Sequence, residues 1–232
     1  MSQPQLDKSG ASVRAMFDEI APTYDLLNGL LSANQDALWR YRSVKRLGVR
    51  KNERVLDLCC GTGDMTRELA RQSPKSEIIG ADFSRAMLAV ARNKDRDHNY
   101  LEADALALPF EDAHFDVVTI AFGVRNFEDT PRGIKEIARV LKPSGRLLVL
   151  EFMRPNSPLV GRFFGSFNVI LSPLGRLVSH HSTAYNYLPQ SVEGFYSRRE
   201  FTRLLRSEGF TNIRMFEHSI GIASSFLAQK VN

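Results

Sequence analysis

Between Arg54 and Glu151 the chain alternates short apolar or β-branched runs with amphipathic stretches, the pattern of a parallel sheet flanked by helices. Arg54 to Leu58, Glu77 to Ala81, Asn99 to Glu102, Phe115 to Ala121 and Arg146 to Leu150 read as strands. Asp64 to Gln72, Arg85 to Asn93 and Pro131 to Leu141 read as the helices between them, with Ser84 as one N-cap and Thr130 followed by Pro131 as another. The turn Lys142-Pro143-Ser144-Gly145 ends the third. Farther on, Ser197 and Glu200 have capping-box spacing, and the helix they open carries Phe201, Leu204 and Leu205 before Gly209. Two closing runs, Asn212 to His218 and Ile222 to Val231, predict an antiparallel hairpin at one edge of the sheet.

Two further helices, Val13 to Ile20 and Gln35 to Leu47, flank the loop Ala21-Pro22-Thr23-Tyr24-Asp25 and read as a lid. Residues 152 to 196 fit neither period, are rich in aromatic side chains, and read as an inserted cap. The expected architecture is therefore α/β and Rossmann-like. It has a mixed seven-stranded sheet, a C-terminal antiparallel hairpin, helices on both faces, an N-terminal helical lid and a cap. Residues 1 to 12 form a tail before a single domain, 13 to 232, divided into lid (13–50), core (51–151), cap (152–196) and C-terminal helix with hairpin (197–232).

Composition changes this picture little. An apolar fraction of 43% with 25% charged residues belongs to an ordinary globular chain. The net charge of +5 is modest, and no basic run stands beside an aromatic stacking motif, so no nucleic-acid partner is expected. The polar start excludes a secretory leader, and the apolar stretch Phe163 to Val178 is too interrupted to span a bilayer. Adjacent Cys59 and Cys60 suit neither a disulfide framework nor a zinc site, which points to a reducing, cytoplasmic location and no metal.

The chemistry is expected at the carboxyl ends of the strands. There the first strand runs into Gly61-Thr62-Gly63, where glycine permits a tight turn and close approach of a ligand to the backbone. Alone, this is also an ordinary strand-to-helix turn. Asp64 places a carboxylate where a dinucleotide pyrophosphate would need the positive end of a helix, and the third glycine of the dinucleotide fingerprint is missing. A carboxylate there is compatible instead with S-adenosylmethionine, whose amino-acid end carries an ammonium. Asp82, about twenty residues on, stands where an acid binds a ribose diol; as a carboxylate before Ser84 it equally suits a helix start. Asp104-Ala105 ends the third strand with an acceptor for an exocyclic amine and room for a ring.

In order, these residues resemble a class I methyltransferase, and longer strings narrow the resemblance to the ubiquinone/menaquinone biosynthesis C-methyltransferase family. Tyr24-Asp25-Leu26-Leu27-Asn28 with Leu31-Ser32 and Trp39-Arg40 is similar to one family signature, and Arg139-Val140-Leu141-Lys142-Pro143-Ser144-Gly145-Arg146 with Leu150-Glu151-Phe152 to a second. Leu108-Pro109-Phe110 and Phe122-Gly123-Val124-Arg125-Asn126 lie between them. Ala121, Ser144, Met153 and Ser224-Ser225-Phe226 depart from the pattern. The resemblance implies methyl transfer from S-adenosylmethionine to a ring carbon of a polyprenylated quinol. Cys59-Cys60 favours the menaquinone branch, hence demethylmenaquinol, over a benzoquinol of the ubiquinone branch. It carries cofactor contacts onto Thr62, Asp82, Asp104 and Ala105.

A ring carbon is methylated when a hydroxyl proton leaves and enriches it. Arg125 is expected to stabilise the phenolate and direct its proton through water, since arginine is itself no base; a salt bridge tying down the lid is the alternative. Asn126 is expected to orient the substrate oxygen, and Tyr24 to cover the sulfonium face or contact the quinol. His180 and His181 are lesser acid-base candidates. The aromatic insert with Arg154, Arg162 and Arg176 suggests peripheral contact with an anionic membrane surface, and a homodimer is a further expectation. Two rivals stand beside this reading: a methyltransferase for another small molecule, and a non-catalytic cofactor-binding protein.

Overall fold

The computed structural model of the protein describes residues 7–32, 34–155 and 182–232. Three helices come first: α1 (Gly10–Ile20), α2 (Tyr24–Ser32) and α3 (Gln35–Leu47). Then β1 (Arg54–Leu58), α4 (Asp64–Gln72), β2 (Glu77–Asp82), α5 (Arg85–Lys94), β3 (Asn99–Glu102) and β4 (Phe115–Ala121) follow in alternation. A short 3₁₀ turn, Val124–Asn126, leads to α6 (Thr130–Val140) and β5 (Leu141–Glu151). The chain ends with α7 (Ser182–Glu193), α8 (Arg198–Ser207), β6 (Phe210–His218) and β7 (Ala223–Lys230).

The strands form one sheet of order β3-β2-β1-β4-β5-β7-β6, parallel except for β7, which runs antiparallel to both neighbours. Period-two alternation sends Val55, Val117 and Leu148 into a core with Trp39 of α3 and Leu69 of α4, while Leu56, Val118 and Leu147 meet Ile134 of α6 and Phe201 of α8 on the other face. Both faces are covered, so the strands carry almost unbroken apolar runs. Asp57, wholly buried in β1, breaks its run and accepts hydrogen bonds from Thr66 Oγ1 of α4 (2.6 Å) and Thr119 Oγ1 of β4 (2.9 Å). Burial pushes its carboxyl up to about 7.

Two expectations are corrected. The loop around Tyr24 is the start of α2: Asp25 of its first turn accepts from Thr62 Oγ1 at 2.5 Å and pairs with Lys94, and these tertiary contacts hold a helix whose leucines favour it but whose Asn28 and Gly29 do not. The Lys142–Gly145 turn lies within β5 as an irregularity. Leu141 already pairs with Phe115, Ser144 takes φ 60°, and register resumes at Arg146 opposite Val117. The expected cap is described only as far as Arg154 and Pro155 and again from α7; His180, His181, Arg162 and Arg176 lie outside the described residues.

Candidate active site

Strand order reverses between β1 and β4, and the crevice at their carboxyl ends is where an open α/β sheet binds its ligand. A cavity of about 410 Å³ lies there, within the range of small-molecule sites.

Its first wall is the turn after β1. Gly63, at φ 84°, caps α4, and a Cβ on it would lie 2.6 Å from Tyr100 Oη, so only glycine fits. Gly61 N donates to Asp82 Oδ2 and Ser84 N to Asp82 Oδ1, each at 2.9 Å, so Asp82 fastens the turn to the end of β2. Its carboxylate still faces the cavity, and burial pushes it up to about 6. Asp104 also lines the cavity, its Oδ1 accepting from Leu106 N at 2.8 Å, with Ala105 beside it. Phe83 and Leu106 add apolar walls between the two acids. Two carboxylates at successive strand ends with apolar surface between them fit a nucleoside: acceptors for hydroxyls and an amine, and a slot for a ring.

Thr62 and Gly63 do not line this cavity. Thr62 is buried and donates to Asp25, so its hydroxyl holds the lid helix rather than a ligand. Nor does Asp64 face the cavity: Arg67, Arg40 at 3.2 Å and Lys94 at 3.6 Å surround it. Its charge is met within the protein, which removes it as the partner of a ligand ammonium.

The opposite wall follows β4. Phe122, at φ 59°, turns the chain into Gly123 and the 3₁₀ segment. Asn126 lines the cavity; Arg125 does not. Arg125, only 7% exposed, points into the protein, where Nη1 donates to Glu151 Oε1 at 2.8 Å, its backbone N to Glu151 Oε2 at 3.2 Å, and its guanidinium covers the Phe152 ring. Burial opposes its charge, but Glu151 overrides this and raises its pKa. The ion pair expected as an alternative is present, with Glu151 of β5 as partner rather than the lid. Arg125 Nε is buried with no hydrogen-bond partner among the described residues. The expected tail reaches this wall separately, as Lys8 Nζ donates to Arg125 O and Gly10 N, where α1 already begins, to Glu128 Oε2, each at 3.1 Å.

Tyr24 and Phe17 close the cavity from the lid, edge to face with centroids 6.1 Å apart. Burial raises the Tyr24 hydroxyl, and Asn28 bonds it. Cys59, at φ 56°, lines the cavity as a thiol, its pKa pushed far up by burial. Of the predicted site residues, Tyr24, Gly61, Asp82, Asp104, Ala105 and Asn126 therefore meet around one cavity. Glu151, Phe83 and Asp25 were not foreseen in these roles. A glutamate closing the apolar run Leu147-Leu148-Val149-Leu150 was the available sign of a buried charge in need of a partner. Among the described residues no cluster of metal-ligating side chains occurs, and no helix is long and apolar enough to cross a membrane.

The model of the ubiE/COQ5 methyltransferase family matches residues 5–230. A demethylmenaquinone methyltransferase of Thermus thermophilus is 45% identical over 90% of this chain and 97% of its own length. A ubiquinone/menaquinone biosynthesis C-methyltransferase UbiE of Geobacter sulfurreducens is 42% identical over 97% of this chain and 91% of its own. Among solved structures, the [4+2]-cyclase SpnF superposes with a TM-score of 0.73 at 18% identity, covering 100% of this chain and 99% of that one. An S-adenosylmethionine-dependent methyltransferase of Thermotoga maritima reaches 0.70 at 21% identity, covering 93% and 99%. These two show the fold.

Proposed function

Since the chain belongs to the ubiE/COQ5 methyltransferase family and is an S-adenosylmethionine-dependent methyltransferase, we propose that it methylates a ring carbon of a polyprenylated quinol, converting demethylmenaquinol to menaquinol. The observation that carries the reading is that one cavity serves both reactants: its β2 and β3 ends offer Asp82 and Asp104 to a nucleoside, and its β4 end offers the Asn126 amide to a second molecule. Demethylmenaquinone gives the Thermus thermophilus relative its name, and that relative covers 90% of this chain.

Bound at the glycine turn, S-adenosylmethionine supplies an electrophilic methyl group. Asp82 would accept from the ribose hydroxyls and Asp104 from the adenine amine. Tyr24 and Phe17 exclude water from the reacting centre, and holding both molecules in one crevice supplies much of the rate. Asn126 meets the quinol oxygen that becomes negative as its proton passes to water; the ring carbon that takes the methyl would then release its own hydrogen as a proton to water, restoring the aromatic ring. Arg125 acts from behind this wall: paired with Glu151 it is no free cation, but its unpartnered Nε is a fixed donor beside the turn that carries Asn126. A polyprenyl tail would suit peripheral contact with an anionic membrane surface, and we include that contact in the proposal.

The test is a radiolabelled methyl-transfer assay offering demethylmenaquinol and a demethylated ubiquinol precursor side by side. Transfer to the naphthoquinol is expected. Transfer to the benzoquinol alone would move the chain to the other branch, and transfer to neither would overturn the quinol reading.

A further inference from the structure

We propose that Tyr187, on α7, is a positioning residue that fixes the Asn126 amide so that one of its N–H groups is presented to the substrate oxygen. This rests on the quinol reading above and deepens it.

An amide can face either way, and what it offers a ligand depends on which end is tied down. Here both ends are. The Phe122 carbonyl can only accept, and it takes an Nδ2 hydrogen of Asn126 at 3.4 Å, which places the nitrogen on that side. Oδ1 is thereby turned to Tyr187, whose hydroxyl donates to it at 3.0 Å. The second Nδ2 hydrogen has no partner among the described residues, and Asn126 is part of the cavity wall.

The polarity of this arrangement matters for the chemistry. A donor facing the cavity binds an oxygen more strongly as it gains charge, whereas an amide turned the other way would set its own oxygen against that charge. Tyr187 is suited to the task. It is buried, and burial pushes its hydroxyl up to about 12, so it remains a donor throughout the neutral range. It acts through Asn126 and does not itself line the cavity.

The test compares wild type, Tyr187→Phe, Asn126→Ala and the double variant in steady-state transfer to demethylmenaquinol, from about pH 6 to about pH 9. Tyr187→Phe is expected to lower kcat on the order of tenfold with KM little changed. It should also displace the acid limb of the kcat profile to higher pH, because the substrate oxygen ionises less readily. The same change made in Asn126→Ala should cost nothing further, since the two act as a unit. A wild-type kcat and profile in Tyr187→Phe, or an equal cost with and without Asn126, would overturn the inference. Tyr187→Met carries the same comparison if the phenylalanine variant does not fold. Wild-type transfer separates the two failures: with it, unchanged variants remove only the role of Tyr187; without it, the quinol reading falls and the inference with it.

Discussion

The two ends of the cavity are built on different principles. The cofactor end is made largely of backbone: a left-handed glycine turn, and a carboxylate that ties it to the next strand through two main-chain N–H groups. The substrate end is made of side chains brought together from distant parts of the chain. Arg125 meets Glu151 across 26 residues, and Asn126 meets Tyr187 across 61. Damage to the first should appear in cofactor affinity with the fold intact. Damage to the second should appear in stability and turnover together.

The largest effect is expected where a charge is buried. Arg125→Met leaves Glu151, which is 0% exposed, without its cation and should destabilise the protein by about 3–5 kcal/mol in thermal or denaturant unfolding. Adding Glu151→Leu should restore most of that stability but none of the turnover. Recovery of turnover in the double variant would reduce the pair to a structural element.

Asp82→Ala comes next. It should weaken S-adenosylmethionine binding, measured by calorimetry, by roughly tenfold to a hundredfold, the loss of charge-assisted hydrogen bonds. Because burial pushes Asp82 up from 3.8 to about 6, wild-type affinity should decline as pH falls through about 6, and the alanine variant should lack that step. The sign for stability is the reverse. A raised carboxyl contributes most below 3.8 and loses its contribution as pH rises through about 6, so the ionised group weakens the unliganded fold at neutral pH. Unchanged affinity would remove Asp82 from the site.

The smallest effect concerns the turn itself. Gly63→Ala should cost about 1–2 kcal/mol through its left-handed backbone and its approach to Tyr100. Tyr100→Phe, by removing Oη, should return part of that loss and leave the conformational part.

The same division sets what was legible in the sequence. The strands β1, β3 and β4 and the helix α4 fall where periodicity placed them, because their signals are local. So do Gly61, Asp82 and Asp104, each written at the end of a strand. The start of α2 at Tyr24 and Asp25 reads as loop in the sequence: the paired leucines Leu26-Leu27 and Leu30-Leu31 are interrupted by Asn28 and Gly29, and what holds Asp25 is Thr62 and Lys94. The roles of Arg125 and Thr62 differ from expectation for one reason. Each finds its partner through the fold, Glu151 on the neighbouring strand and Asp25 on the lid, and no spacing within a motif reports that distance.

Cys59 and Phe122 follow neighbouring strands in the same left-handed conformation, and both residues line the cavity, the Phe122 ring also packing on Phe152. Gly123 packs so tightly on Cys59 that a Cβ there would collide with it, locking the two turns against each other. The floor of the site is thus set by main chain, and the residues standing on it can be exchanged without redrawing it. Asparagine or glycine at either position would even relieve strain. For anyone wishing to redirect the enzyme toward other rings, these two positions form a pair of sockets: a small library at them would vary what the acceptor touches while the methyl donor's berth stays where it is.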